Sequence, residues 1–273
     1  MNRALLPLSL LLAACGGSDI DSAASTGTST DTGTDTATDT TLDLEGAWVD
    51  PYGSTLDVTT DTIRMGYPGT DPSGFTVAAW SDAEGWVVAR NDASNDYFAG
   101  LWSRFDWQRV DGELYLCQSV YDAADQQSAE LAPRGDDADL DAGCGGYPWS
   151  PLRHPLAVSG TWADTWGTQH IVDPFVWTMT DGDTTSRYHI AVIDDVAGWV
   201  VAQNDADNAW SPSAWSRIEW YWDSLGALLM CQSTYDATSK DAALAGPLAD
   251  RSDVLAGGCG GFAWTAMTPV VGR

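Results

Sequence analysis

Basic residues are scarce in this chain, with 12 Lys and Arg against 39 Asp and Glu and a formal net charge of −27. Such a surface repels phosphate backbones and anionic head groups, and no basic patch with interleaved aromatics overrules the field, so nucleic acid is excluded as a partner. Solubility explains the acidity without invoking a cationic partner. Lys240 is the single lysine, which makes Schiff-base chemistry a poor expectation. The three histidines, His154, His170 and His189, all fall in the second half, and no GxSxG, HExxH or P-loop pattern occurs. No catalytic residue and no cofactor is therefore assigned. No CxxC pair or histidine stands at ligand spacing around the cysteines, which weakens a metal reading. The one long apolar run, LLPLSLLLAA near the N-terminus, is too short to cross a bilayer.

What the chain has instead is repetition. EGWVVARNDAS (84–94) returns about 113 residues later as AGWVVAQNDAD, with eight of eleven residues identical. WSRFDW (102–107) returns as WSRIEW (215–220), CQSVYDA (117–123) as CQSTYDA (231–237), and CGGYPWS (144–150) as CGGFAWT (259–265). Four matches in the same order mean two copies of one folding unit of roughly 110 residues, an ordinary domain size. The expected domains are 44–153 and 158–269.

Residues 1–14 carry one basic residue, Arg3, before the apolar run, which reads as a secretory signal peptide. Leu12-Ala13-Ala14-Cys15 resembles the lipobox of bacterial lipoproteins. That resemblance implies cleavage before Cys15 and its acylation. Gly16-Gly17 lack the aspartate that marks inner-membrane retention, which implies the outer membrane, on its periplasmic or cell-surface face. The segment 15–43 is rich in Thr, Ser, Asp and Gly and has no aromatic residue, so it reads as a disordered tether. A flexible coil of this length has a root-mean-square span of roughly 30 Å.

The other four cysteines fall two per copy, Cys117 with Cys144 and Cys231 with Cys259. Matched separations in an exported chain predict one disulfide inside each domain. Closing such a loop stabilises each unit by about 3.5 kcal/mol on the chain-entropy model.

Short runs of Thr, Val, Trp and Tyr broken by Gly, Asp and Asn predict strands and turns throughout both copies. FTVAAW and GWVVARN read as a hairpin around SDAE, and Asp111-Gly112 joins LWSRFDWQRV to ELYLCQSVY as a two-residue turn. Alternation places Ser103, Phe105 and Trp107 on one face, the expected core, and Trp102, Arg104 and Asp106 on the other. Trp215, Arg217 and Glu219 repeat the second face. One short helix per copy is expected, with Asp122 or Asp236 as its N-cap and Pro133 or Pro247 as its stop. The fold class is all-β: two tandem antiparallel meanders, as small barrels or sandwiches, since closure removes strand edges. The opening Gly-x-Trp, at 46–48 and 160–162, resembles the first-strand signature of lipocalin-type barrels. The combination WSRFDW, CQSxYDA and CGGxxW resembles a family of repeated extracytoplasmic domains in bacterial lipoproteins, across nearly all of 46–267, and it brings no activity with it.

Fifteen tryptophans is several times ordinary usage, and tryptophan stacks on sugar rings and anchors interfaces. Those recurring in both copies (Trp86, Trp199, Trp107, Trp220, Trp149, Trp264) are assigned to the core. Trp80, Trp166, Trp177, Trp210 and Trp222 do not recur, and are assigned to exposed contacts. Trp102 with Arg104, and Trp215 with Arg217, form a cation–π row that serves either as sheet glue or as a ligand platform in a barrel mouth. Asp92 and Asp96, and Asp205 and Asp207, are weak calcium candidates, since Asn/Asp clusters are also ordinary turn formers. The expected function is a lipid-anchored, non-catalytic envelope protein that binds glycans or another envelope component, or serves a structural role there. The alternative is a hydrolase using acidic pairs, which chance alone can supply in so acidic a chain.

Overall fold

The computed structural model describes residues 41–270, which belong to one compact unit. The expected leader, Cys15 and the tether up to residue 40 lie outside the described residues.

The first eight strands are β1 (Gly46–Val49), β2 (Thr55–Val58), β3 (Thr62–Gly66), β4 (Ser73–Ser81), β5 (Trp86–Asn91), β6 (Trp102–Val110), β7 (Glu113–Ala123) and β8 (Ser150–Leu152). The second eight are β9 (Gly160–Asp164), β10 (Gln169–Val172), β11 (Val176–Asp181), β12 (Thr184–Asp194), β13 (Trp199–Asn204), β14 (Trp215–Trp222), β15 (Leu228–Ala237) and β16 (Thr265–Pro269). Helices α1 (Gln126–Glu130) and α2 (Lys240–Ala245) follow β7 and β15. Each set is an antiparallel up-and-down meander with sequential neighbours paired.

In the second set β16 pairs with β9, Met267 opposite Asp164 and Pro269 opposite Trp162, and the barrel is closed. In the first set β1 and β8 meet through one bridge, Val49 opposite Arg153, and barrel 1 is nearly closed. Toward the plug the ladder goes no further because Pro155, which would face Ala47, lacks an N–H to donate, and the Ala47 carbonyl is bonded to the His154 ring instead. The Asp111-Gly112 turn has positive φ at both residues (+52° and +85°), as a two-residue hairpin of that type requires.

Both interiors are filled with side chains. Trp48, Phe75, Phe105 and Trp107 pack in barrel 1 with the aliphatic residues of every strand; Trp162, Trp177, Tyr188 and Trp220 do so in barrel 2. One end of each barrel is plugged by the chain that enters it. Leu42 and Leu44 are buried in barrel 1 and Leu156 and Val158 in barrel 2, and the Trp48 and Trp162 indoles donate to the carbonyls of Leu44 and Val158.

A second layer covers the outside of β5–β7 and β13–β15. In barrel 1 this layer buries Val88, Arg104, Asp106 and Cys117 with Ala129 of α1 and Trp149; in barrel 2 it buries Val201, Arg217, Glu219 and Cys231 with Ala243 of α2 and Trp264. Cys117–Cys144 and Cys231–Cys259 are the two disulfides. The helices begin later than expected: Asp125 and Ser239 are the N-caps, not Asp122 and Asp236, because β7 and β15 run on to Ala123 and Ala237 before the chain turns.

Candidate functional site

The expected ligand platform of Trp102, Arg104, Trp215 and Arg217 does not reach a barrel mouth. Arg104 lies on the outer face, buried under α1: its Nε donates to Asp106 at 2.8 Å, and its Nη1 donates to the carbonyls of Glu130 (2.6 Å) and Ala132 (3.0 Å). Its guanidinium stacks on Trp86, and that of Arg217 on Trp199, not on Trp102 or Trp215, because the next strand brings the closer ring across. A strand face that points away from the barrel axis is buried here by the helix, so the row is sheet-to-helix glue. Trp102 and Trp215 are half-buried at the strand starts.

The other tryptophans divide. Trp177 is fully buried, because its face of β11 points into barrel 2, and Trp80 is half-buried against the core of barrel 1; neither is an exposed contact. Trp166, Trp210 and Trp222 are exposed. Of the recurring set, Trp107, Trp220, Trp149 and Trp264 are buried, whereas Trp86 and Trp199 are half-buried under the arginines.

The Asn/Asp loops are tied down by hydrogen bonds within the protein. Asn95 exchanges two hydrogen bonds with the Gly74 backbone and Asn208 does the same with Arg187. Asp205 accepts from the Asp207 N–H and pairs with His189 at 2.8 Å, and its carboxyl is held below the usual range by those bonds. Asp92 pairs with Thr76, and Asp96 is exposed. Among the described residues no group of three or more His, Cys, Asp or Glu is placed to hold a metal ion.

The feature common to both barrels is the end opposite the plug. In an up-and-down meander the odd-numbered strands of each barrel run toward the same end, so the loops after β1, β3 and β5 and the end of β7 gather there. In barrel 1 this open end carries Tyr52, Tyr97, Tyr121 and Tyr147; in barrel 2 the corresponding places carry Trp166, Trp210, Tyr235 and Phe262. All eight are between 45 % and 82 % exposed. Ring identity changes at three of the four positions while aromatic character stays at all four, and exposed rings add nothing to a core.

Local chemistry holds each ring out. Asp50 and Asp164 accept two backbone N–H groups each across the turns that carry Tyr52 and Trp166. Asn91 and Asn204, both buried, donate to the carbonyls of Phe98 and Ser211 and of Tyr121 and Tyr235, tying the long loop to the end of β7 or β15. Their own carbonyls accept from Ser103 and Ser216, which also accept from Gln118 and Gln232. Phe98 and Ser211 adopt φ of +55° and +47°, a strained backbone for non-glycine residues and one often found at functional loops. Gly145 and Gly146, with φ of +62° and +93°, let the disulfide loop turn back to present Tyr147.

Between the rings lie shallow clefts. In barrel 1 two adjoining clefts of about 180 and 230 Å³ share Met65, Tyr67, Gln118 and Tyr121. Barrel 2 has one of about 340 Å³ lined by Tyr188, Asn204, Trp210, Ser211, Gln232 and Tyr235. Burial, then the neighbouring phenol of Tyr121, raises the Tyr67 pKa; burial, then Tyr147, raises that of Tyr121, so these hydroxyls stay protonated donors. Of the residues lining the three clefts Asp50 is the one carboxylate, and two backbone N–H groups already occupy it. A paired-carboxylate hydrolytic site is not found there.

A larger cleft, about 680 Å³, lies where the barrels join. Its main cation is already satisfied: Arg153 pairs with Glu113 at 2.6 and 3.0 Å, donates to the carbonyls of Pro174 and Ile190, and stacks on Phe175. His154 stacks on Trp48 at 3.8 Å and bonds the Ala47 carbonyl. Arg153 thus ties the two barrels together across this cleft.

Sequence reasoning missed Tyr52, Tyr97, Tyr121, Tyr147, Tyr235 and Phe262. The available signal was an aromatic at the same position in both copies: Tyr121 with Tyr235 and Tyr147 with Phe262 fall inside the matching blocks, whereas Tyr52 with Trp166 and Tyr97 with Trp210 emerge only when the alignment is extended beyond them. No family model, curated protein or solved structure matches this chain.

Proposed function

We propose that this protein is a non-catalytic binding protein of the cell envelope, fastened by a lipid on Cys15, whose two aromatic rims hold neutral glycan chains. One observation carries the reading: at four equivalent positions of each barrel an exposed ring stands at the open end, on a turn or strand end held by local hydrogen bonds. Flat aromatic faces with amide and phenol groups between them suit the apolar faces and hydroxyls of sugar rings. The acidic charge favours a neutral chain over a polyanion. Shallow clefts over a filled interior suit a ligand lying across the rim rather than a small molecule enclosed in a barrel.

The test is retention of the chain, with Cys15→Ser to keep it soluble, on a glycan array and on envelope polysaccharide, followed by tryptophan fluorescence. Retention with a fluorescence change that Trp166→Ala and Trp210→Ala diminish is the expected result. Absence of retention and of any fluorescence change would sink the reading; binding to phosphatidylcholine vesicles alone would replace glycan with a lipid surface. Mass spectrometry of the membrane fraction should find acylated Cys15, and an unmodified Cys15 would remove the anchor from the proposal.

A further inference from the structure

We infer that the protein bridges two separate glycan strands instead of gripping one strand with both rims; this rests on the glycan-binding reading above. The inference comes from chain direction. β8 runs from the open end of barrel 1 to its plugged end and leaves there; residues 153–159 then enter barrel 2 at its plugged end, and β9 runs from there toward Trp166. The two plugged ends are therefore joined, and each rim sits at the far end of its own barrel.

The junction is built to hold that arrangement. Arg153 bonds Glu113 in barrel 1 and two carbonyls in barrel 2. Asp195 accepts the Ala157 N–H at 2.9 Å, and Leu156 and Val158 are buried in the barrel 2 core. No strand of one barrel packs along a strand of the other, so the barrels do not lie side by side with their rims together. A strand of nine residues such as β6 is about 30 Å long. A single short glycan cannot lie across both rims, whereas two strands can be held at once. Bivalent attachment of this kind multiplies apparent affinity only for surfaces that present more than one strand.

The experiment uses beads bearing covalently attached hydroxyethylcellulose, dextran or solubilised peptidoglycan, with the same polymer, fluorescently labelled, in solution. The Cys15→Ser chain is added, and both protein retained and labelled polymer captured are read. Expected is capture that rises and then falls as protein goes to excess, because at saturation each bound molecule competes for strands. Tyr97→Ala with Tyr147→Ala, or Trp210→Ala with Phe262→Ala, should leave protein on the beads but lower polymer capture at least tenfold. Retention of the wild-type chain without capture at any protein concentration overturns bridging, as does undiminished capture by both variants. No retention on any polymer of the panel overturns the glycan-binding reading itself, a different outcome. The concentration dependence needs no variant and decides the matter even if one fails to fold.

Discussion

The indole nitrogen of Trp177 donates a 3.1 Å hydrogen bond to Nδ1 of His170 inside barrel 2. That bond assigns the imidazole proton to Nε2, which faces Asp164 at 3.5 Å. Burial holds the His170 pKa below its ordinary value of 6.5, against the opposing pull of Asp164. The folded state thus favours neutral imidazole, while the unfolded chain takes up a proton as pH falls through 6.5. Stability from this group is fully present above pH 6.5 and is lost progressively below it. In denaturant titrations from pH 8 to pH 5, His170→Leu should flatten the dependence; an unchanged dependence would show that His170 does not carry it. Barrel 1 has Leu56 and Ile63 at the matching places and no such group.

Arg104 belongs to a buried pair whose loss leaves Asp106 uncompensated, although the Gly135 N–H still reaches it. Arg104→Ala should destabilise barrel 1 by about 3–5 kcal/mol. Arg217→Ala should cost less, since Arg217 Nε is 3.8 Å from Glu219 and has no hydrogen-bond partner. Urea unfolding of the two variants measures the difference, and equal losses would refute the ranking.

The disulfide between Cys117 and Cys144 closes a loop of 27 residues' separation over Trp149. Replacing both cysteines with alanine should lower the stability of barrel 1 by about 3.5 kcal/mol. Trp149 fluorescence should shift to the red as its cover loosens. A loss under 1 kcal/mol would mean that the outer layer holds without its staple.

Rim substitutions should separate binding from stability. Tyr97 and Trp210 are exposed, so their replacement by alanine should change stability by no more than about 0.5 kcal/mol. The affinity of the altered rim for soluble glycan, read by fluorescence titration, should fall by roughly tenfold per ring, about 1.4 kcal/mol, while the other rim still retains the chain on a glycan support. Asn91→Ala should act differently: it removes two donors that tie the Tyr97 loop to β7, costing about 1–3 kcal/mol and weakening binding indirectly. Thermal melts beside fluorescence titrations distinguish the two classes.

Much of the architecture was legible because it follows local rules. Alternation in WSRFDW separates Phe105 and Trp107 from Arg104, and Asp111-Gly112 specifies its own turn. The cysteine spacing locates both staples. What alternation cannot convey is a second covering layer: Arg104 and Asp106 lie on an outward face, yet α1 buries them through contacts across more than twenty residues of chain. The burial of Trp177 is hidden from the sequence for a similar reason, since the face of β11 that turns inward is set by pairing with β10 and β12. Six of the eight rim rings sit in turns and loops, where no period exists to betray them, and Tyr121 and Tyr235 sit at the last residues of β7 and β15, beyond the core-facing alternation; comparison of Tyr52 with Trp166 and of Tyr97 with Trp210 singles out the rim.

The plug formed by Leu42 and Leu44 fixes where mechanical load enters the molecule. The N-terminal chain joins β1 at the end of barrel 1 farthest from Tyr97, so a pull on that chain resisted by a strand held at the rim runs along the β-ladder. Traction in that direction loads the hydrogen bonds between β1 and β2 simultaneously, in shear, instead of unzipping them one after another.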